Sequence, residues 1–351
     1  MPLAHRKAPL YVKLMAAAIS ILAFVTTTEL ILRLFDPELS YKNQFFPFNR
    51  DINFVEFYEK DSEIFWKLRE NQTVESRWFS SLSYQINSLG LRGPEVRKEK
   101  HGYRILALGN SCTFGWGVPF EKCWTELLES QLNEVIVGDS IEVVNAGVPG
   151  YSSYQGKIHL QRLLHLKPDI VLIMFGWNDH WRAGNDISDA EQNSPPQVVI
   201  DLQNELSQLM LYKLMRKATL TLTEDTTFVR LDDITGKRRV SQDEFAENLR
   251  AIIRIAKVNA VAPVLVVPPV ASLNLYFKGI QSNFHMLHAR YRDIIVKVGK
   301  YQGIPVVNLQ IPFDNHNDLY DDAQGDPIHF NARGQRLAAE NIAETIMTLR
   351  R

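Results

Sequence analysis

From Arg104 to Leu349, short apolar runs alternate with stretches of helical period, and this alternation restricts the chain's architecture more than any other feature. The apolar runs are Arg104–Leu108, Ile141–Asn145, Asp169–Phe175, Pro263–Val267 and Pro305–Asn308. Most are continuous, as expected of strands buried on both faces. Between them, Phe245, Leu249, Ile252, Ile253 and Ala256 recur at helical spacing. Phe284, Leu287, Tyr291, Ile294, Ile295 and Val298 do the same, as do Leu337, Ala338, Ile342, Ile346 and Leu349. Strands alternating with helices predict an α/β fold whose parallel sheet is covered on both faces. An interruption at about 182–242 carries Pro195-Pro196, a short helix near Leu206–Leu214 and a polar turn at Asp232–Arg239. It predicts an insertion over the rim of the site, where loops set substrate choice.

Bulk properties exclude several classes. A formal net charge of -1 offers no electrostatic footprint for nucleic acid. Two cysteines cannot build a disulfide scaffold or a cysteine zinc site. Neither GxxxxGK[ST] nor HExxH occurs, so no metal or nucleotide cofactor is expected.

Residues 1–35 differ from the rest. Arg6, Lys7 and Lys13 precede an apolar run from Leu14 to Phe35, which as a helix spans roughly 30 Å, about one hydrocarbon core. Glu29 and Arg33 stand one helical turn apart and can pair. The leading basic residues predict a cytoplasmic N-terminus and an extracytoplasmic remainder on a single membrane span. A cleaved signal peptide and a buried core helix are the competing readings, and no A-x-A-like site follows the run. Residues 36–102 are rich in aromatics, among them Phe45, Phe46, Phe48, Phe54, Phe57, Trp66 and Trp78. Ser83–Ile86 alternates like a strand, and Asn87–Gly90 reads as a turn. The segment is expected to extend over the main domain, its aromatics packing there or lining a groove.

Four segments carry chemistry. Ser111 follows the first strand of the main domain, where open α/β sheets gather their sites. Asn145-Ala146-Gly147-Val148-Pro149-Gly150 follows the second strand, a tight turn whose backbone N–H can approach a ligand. Gly176-Trp177-Asn178-Asp179 follows the third; Asn178 can aim an amide at an oxyanion or form an Asx turn. Asp326-Pro327-Ile328-His329 precedes the last helix, and a carboxylate at that spacing can hold the histidine tautomer.

In order and wording these segments resemble the SGNH hydrolases, the GDSL esterase/lipase superfamily, over roughly residues 104–349. The blocks stand here as GNS around Ser111, NAGVPG ending at Gly150, GWND around Asn178 and DPIH at Asp326–His329. The membrane run and Asn87–Gly93 look like the membrane-anchored bacterial members. The resemblance implies a flavodoxin-like three-layer α/β/α fold with about five parallel strands, in a domain spanning 103–351. It implies Ser111 as nucleophile, His329 as general base and Asp326 as its orienting carboxylate. The oxyanion donors would be the backbone N–H groups of Ser111 and Gly150 and the Asn178 amide, with Gly147 the alternative to Gly150. Asn110 stands where the family usually has Asp, which removes a negative charge near the site.

Three functions follow as alternatives. The first is an exported serine esterase acting on O-acyl, acetyl-like esters of a carbohydrate or lipid. The second is an O-acyltransferase modifying an envelope glycan beside a multi-pass membrane partner. The third is a catalytically silent binding protein. Trp116, Tyr151, Trp177 and Trp181 follow the site segments and would either stack on sugar rings or pack internally. A Cys112–Cys123 disulfide is the remaining open question of covalent structure.

Overall fold

The computed structural model describes residues 9–35, 57–76, 79, 81–136, 138–223, 236–272, 280–323 and 325–349. Phe45, Phe46, Phe48, Phe54, Trp78 and the first half of the Asp232–Arg239 turn lie outside them.

Helix α1 (Leu10–Phe35) is followed by two antiparallel hairpins. One joins β1 (Tyr58–Asp61) to β2 (Phe65–Leu68), the other β3 (Gln72–Glu75) to β4 (Ser83–Ile86). Then come β5 (Tyr103–Gly109), α2 (Ser111–Phe114), α3 (Trp124–Val135), β6 (Ile141–Gly147), α4 (Ser153–Leu163) and β7 (Ile170–Met174). The insertion contributes α5 (Gln197–Leu206) and α6 (Met210–Thr223). The chain continues through α7 (Gln242–Val258), β8 (Ala262–Val267), α8 (Ile280–Gln302), β9 (Val306–Asn308), α9 (Gln310–Phe313) and α10 (Ala332–Leu349).

Strands β5 to β9 form one parallel sheet in the order β6-β5-β7-β8-β9. This is the doubly wound order of the flavodoxin-like folds, in which the chain leaves β5 toward opposite edges and opens a crevice at the strands' C-terminal ends. The apolar runs are continuous because each strand faces two cores. Leu106, Leu108, Val171, Ile173, Leu265 and Val267 face the first, with the hairpins, α4, α7 and α8. Ile105, Ala107, Leu172, Met174, Val264 and Val266 face the second, against α3 and α10. The result is three layers.

Helix α1 carries no buried residue, and 26 residues at 1.5 Å rise give about 39 Å, long enough to cross a bilayer. Arg33 pairs with Glu29 at 2.8 Å. The Glu29 carboxylate also accepts the first backbone N–H groups of α6, those of Met210 and Leu211, both at 3.0 Å. A carboxylate at a helix start satisfies donors that have no intrahelical partner. The single short helix read near Leu206–Leu214 is therefore two helices broken at 207–209.

The insertion reaches the turn after β6 through Arg239, whose Nη1 donates to Gly150 O at 2.8 Å. Its two ends zip together, with Ala183 N–H donating to Lys237 O and Arg239 N–H to Trp181 O, both at 2.8 Å. Its helices pack on the N-terminal elements. Asn204 of α5 bonds both backbone groups of Lys60 in β1, at 2.8 and 2.9 Å, and α6 abuts α1. The hairpins share the first core: Phe57, Tyr58, Trp66 and Tyr84 pack with Phe114 and Tyr151.

The end of β6 touches the backbone of α2. A Cβ on Gly147 would lie 2.2 Å from the Phe114 nitrogen and 2.7 Å from the Thr113 carbonyl carbon, both backbone atoms. Gly147→Ala is expected to cost about 2 kcal/mol, the scale of overpacking at a site that cannot yield. A shift of the urea midpoint measures it, and an unmoved midpoint contradicts the contact.

Candidate active site

Strand β5 ends at Gly109, and the chain turns at once into α2. Asn110 is its N-cap: Oδ1 accepts the Cys112 N–H at 3.0 Å, a task Asn performs as well as Asp. That explains locally how Asn110 can stand where an aspartate is usual. Its Nδ2 is buried with no partner among the described residues. Ser111 thereby occupies the first position of α2, at the mouth of the crevice.

His329 arrives from the loop before α10. Its Nε2 lies 2.8 Å from Ser111 Oγ and its Nδ1 lies 2.7 Å from Asp326 Oδ2. The other carboxylate oxygen of Asp326 accepts the backbone N–H groups of Ile328 at 3.4 Å and His329 at 3.2 Å. Burial works to raise the Asp326 pKa, but the facing imidazole and these hydrogen bonds hold the carboxyl below its ordinary value. An ionised Asp326 can only accept, so the hydrogen-bond pattern assigns the proton to Nδ1. The Nε2 lone pair then faces the Ser111 hydroxyl.

The three turns that follow β5, β6 and β7 are stitched together. Gly109 pairs with Gly147 on one side and Met174 on the other. Val148 N–H donates to Gly109 O at 3.1 Å. The Asn178 amide, 2% exposed, donates to Tyr151 O at 3.0 Å, which fixes its plane and leaves a second N–H to point elsewhere. Gly150 has φ +84°, a conformation that favours glycine. Among the described residues, the backbone N–H groups of Ser111 and Gly150 donate to no protein acceptor. Gly147 N–H, in contrast, is taken by Asn145 Oδ1 at 3.0 Å, which leaves Gly150 the better donor of the two.

Both cysteines are free and buried. Cys112 Sγ points to Ile328 O at 3.5 Å, and burial with the nearby Asp326 charge pushes its thiol well above the usual range. Cys123 packs against Phe114 O and Pro119 O, so the disulfide does not form and neither thiol is a nucleophile. Of the four aromatics, Tyr151 and Trp177 are buried and serve packing. Trp116 and Trp181 are half-buried, with Trp116 stacked on Tyr84 and 6.3 Å from the His329 ring.

Several supporting residues escape sequence reasoning. Arg92, 2% exposed, donates to the carbonyls of Phe114, Gly115 and Val118, each at 2.6 Å, and so clamps the turn behind Ser111. Asp179 accepts from Ser153 N at 2.8 Å and Gly176 N at 3.0 Å, tying the third turn to the start of α4. Burial pushes its carboxyl up to about 6, against those hydrogen bonds and the Arg239 charge. A carboxyl raised on folding stabilises the fold fully below its unfolded value, and loses that contribution as pH rises through the folded value. The stability advantage of wild type over Asp179→Asn is therefore expected to narrow between pH 4 and pH 7. Urea unfolding at both pH values measures it, and a widening advantage contradicts it.

Residues 107–337, more than half of the chain, match the model of the GDSL-like Lipase/Acylhydrolase family. The chain is 38% identical over 81 residues to an arylesterase from Vibrio mimicus, covering 23% of this chain and 40% of the relative. It thus spans about 40% of the length of the curated relative it matches. Similar solved structures include an acetylxylan esterase from Geobacillus stearothermophilus, 18% identical with TM-score 0.46, covering 71% of this chain and 96% of that one. The native M. smegmatis aryl esterase is 18% identical with TM-score 0.44, covering 70% of this chain and 99% of that one.

Proposed function

The chain belongs to the GDSL-like lipase/acylhydrolase family, and from that premise we propose that it is an exported serine esterase that removes short, acetyl-like O-acyl groups from a carbohydrate or lipid. The observation that carries the reading is the continuous relay from Asp326 Oδ2 through the His329 ring to Ser111 Oγ, with links of 2.7 and 2.8 Å.

In the proposed reaction, His329 Nε2 takes the Ser111 hydroxyl proton as Oγ attacks the ester carbonyl carbon. The carbonyl oxygen becomes an oxyanion, stabilised by the N–H groups of Ser111 and Gly150 and by the Asn178 amide. Asp326 stabilises the imidazolium and fixes its orientation. The Nε2 proton passes to the leaving alcohol oxygen as the C–O bond breaks, giving an acyl-Ser111 ester. Water then attacks that ester, giving one proton to His329, and the acid departs with Ser111 restored.

Helix α1 supports placement on a single membrane span, and the basic residues before it support a cytoplasmic N-terminus with the catalytic domain outside. The Glu29 and Arg33 contacts to α6 and Gln208 would hold the domain at the end of that span.

The test is an assay of the full-length protein in detergent on aryl esters of graded chain length, with and without a sugar acceptor. Hydrolysis that is fastest for acetyl esters and indifferent to the sugar is the expected result. Acyl transfer that appears only with the sugar would replace the esterase by an O-acyltransferase.

A further inference from the structure

The β1–β2 hairpin lies outside the sheet, far from Ser111 in sequence, yet it meets the turn that carries Gly150. Trp66, 0% exposed, donates from Nε1 to Pro149 O at 3.3 Å. That carbonyl and the Gly150 N–H belong to one peptide unit. In a trans peptide the two point in opposite directions, so a donor that holds the carbonyl also aims the N–H. No peptide here is cis among the described residues. The next carbonyl, Gly150 O, is held at 2.8 Å by Arg239 Nη1, from the far end of the insertion. Both peptide planes that flank the Gly150 Cα are thus pinned from outside the turn.

The pins are themselves fixed. The Tyr151 hydroxyl donates back to Trp66 O at 2.8 Å, and the two rings meet edge to face at 5.9 Å. Gln155 Nε2 donates to Ile64 O at 2.8 Å, and Arg162 of α4 binds the Asp61 carboxylate at 2.6 and 3.0 Å. Arg239 is paired with Asp189 at 2.8 and 3.1 Å, and its guanidinium stands over the Trp66 ring at 5.6 Å. Asp189 in turn accepts the Ser152 hydroxyl at 2.6 Å, beside the same turn. A glycine at φ +84° is otherwise free to rotate its neighbouring peptides, and glycine has the most freedom to lose.

We infer that Trp66 and Arg239 are positioning residues that aim the Gly150 N–H at the developing oxyanion, so that the β1–β2 hairpin and the end of the insertion belong to the catalytic apparatus. The inference rests on the proposed role of Gly150 as an oxyanion donor. The indole N–H is the part of Trp66 that matters for this task, and Trp66→Phe removes it while leaving an aromatic ring to fill the core. Loss of aim affects the transition state and spares ground-state ester binding.

The experiment compares wild type, Trp66→Phe, Arg239→Lys and Asn178→Ala as full-length proteins, on an aryl acetate and against an alkyl boronic acid. Boronate on a serine forms a tetrahedral anion and so reports the oxyanion donors directly. Trp66→Phe is expected to lower kcat about 10-fold with KM within about 2-fold, and to weaken boronate binding by about the same factor. Arg239→Lys keeps a cation beside Asp189 and carries the same expectation, so it decides the matter if Trp66→Phe does not fold. Full kcat in both variants beside a reduced kcat in Asn178→Ala overturns the positioning role and leaves the oxyanion reading standing. A rise in KM alone also overturns it, because the hairpin would then only support the fold or the binding surface. Full kcat in all three variants removes the oxyanion reading itself, and this inference with it.

Discussion

Replacing Ser111 by alanine is expected to lower ester turnover by at least about 10³-fold, the scale of nucleophile deletions. The estimate follows from what stays behind. His329 and Asp326 would keep their 2.7 Å contact, and the donors would still polarise a bound carbonyl. His329 could then activate only a water molecule, which lacks the fixed position of Oγ at 2.8 Å from Nε2. Cys112 cannot substitute, since it is 2% exposed, faces Ile328 O, and has a thiol that burial keeps protonated. Because Ser111 is a small side chain at the first position of α2, its replacement should leave the fold intact, and near-wild-type unfolding would show that the loss is chemical. Unimpaired hydrolysis by the alanine variant would remove Ser111 from the mechanism.

Asn178→Ala is expected to cost about 10² to 10³-fold in kcat, the measured scale for loss of one oxyanion donor. The effect should fall on kcat and much less on KM, because the donor acts on charge that develops only as Oγ attacks. Geometry sharpens the expectation. Asn178 spends one amide hydrogen on Tyr151 O at 3.0 Å, and that bond is what orients the other. Truncation therefore also leaves the Tyr151 carbonyl without this donor, so some loss of stability, about 1 kcal/mol, should accompany the loss of rate. Asn178→Asp should restore neither, since a carboxylate at that place repels the oxyanion. A variant with wild-type kcat would remove Asn178 from the donor set.

Much of the sheet was legible because its signal is local and one-dimensional. Runs such as Ile105–Leu108 and Ile170–Met174 face two cores at once, and double burial writes itself as unbroken apolar sequence. Helices α7 and α10 showed through the 3.6-residue spacing of their buried side chains. Helix α4 did not, because most of its inner face is Ser153, Gln155, Gly156 and His159, with Leu160 and Leu163 its buried apolar residues. Ser153 and Gln155 are buried with hydrogen bonds to Asn248 and Ile64 O, Gly156 is buried for close approach, and none of the four adds to a hydrophobic period. The Gly156 position, where a Cβ would meet the Phe175 ring at 2.2 Å, is of the same kind.

The residues brought together at Ser111 were legible for a similar reason. Each sits in a short segment at a strand end, and Asp326 and His329 are three positions apart on one loop. What supports them was not legible. Trp66 meets Pro149 across 83 positions, Arg239 meets Gly150 across 89, and Arg92 meets Val118 across 26. A buried arginine that ties loop carbonyls looks, in sequence, like any surface arginine. The aromatics of the N-terminal segment announced that it packs somewhere; only the fold brings Trp66 to one carbonyl of the turn that carries Gly150.

The central claim is that Ser111 is the group that forms the acyl-enzyme, and covalent trapping tests it most directly. The full-length protein would be treated with an alkyl fluorophosphonate, followed in parallel for aryl acetate hydrolysis, and mapped by peptide mass spectrometry. The account predicts a single adduct on the peptide that holds Ser111, activity lost in step with labelling, and no label on the Ser111→Ala protein. Hydrolysis that survives complete labelling, or an adduct on another side chain that tracks the loss of activity, would contradict it.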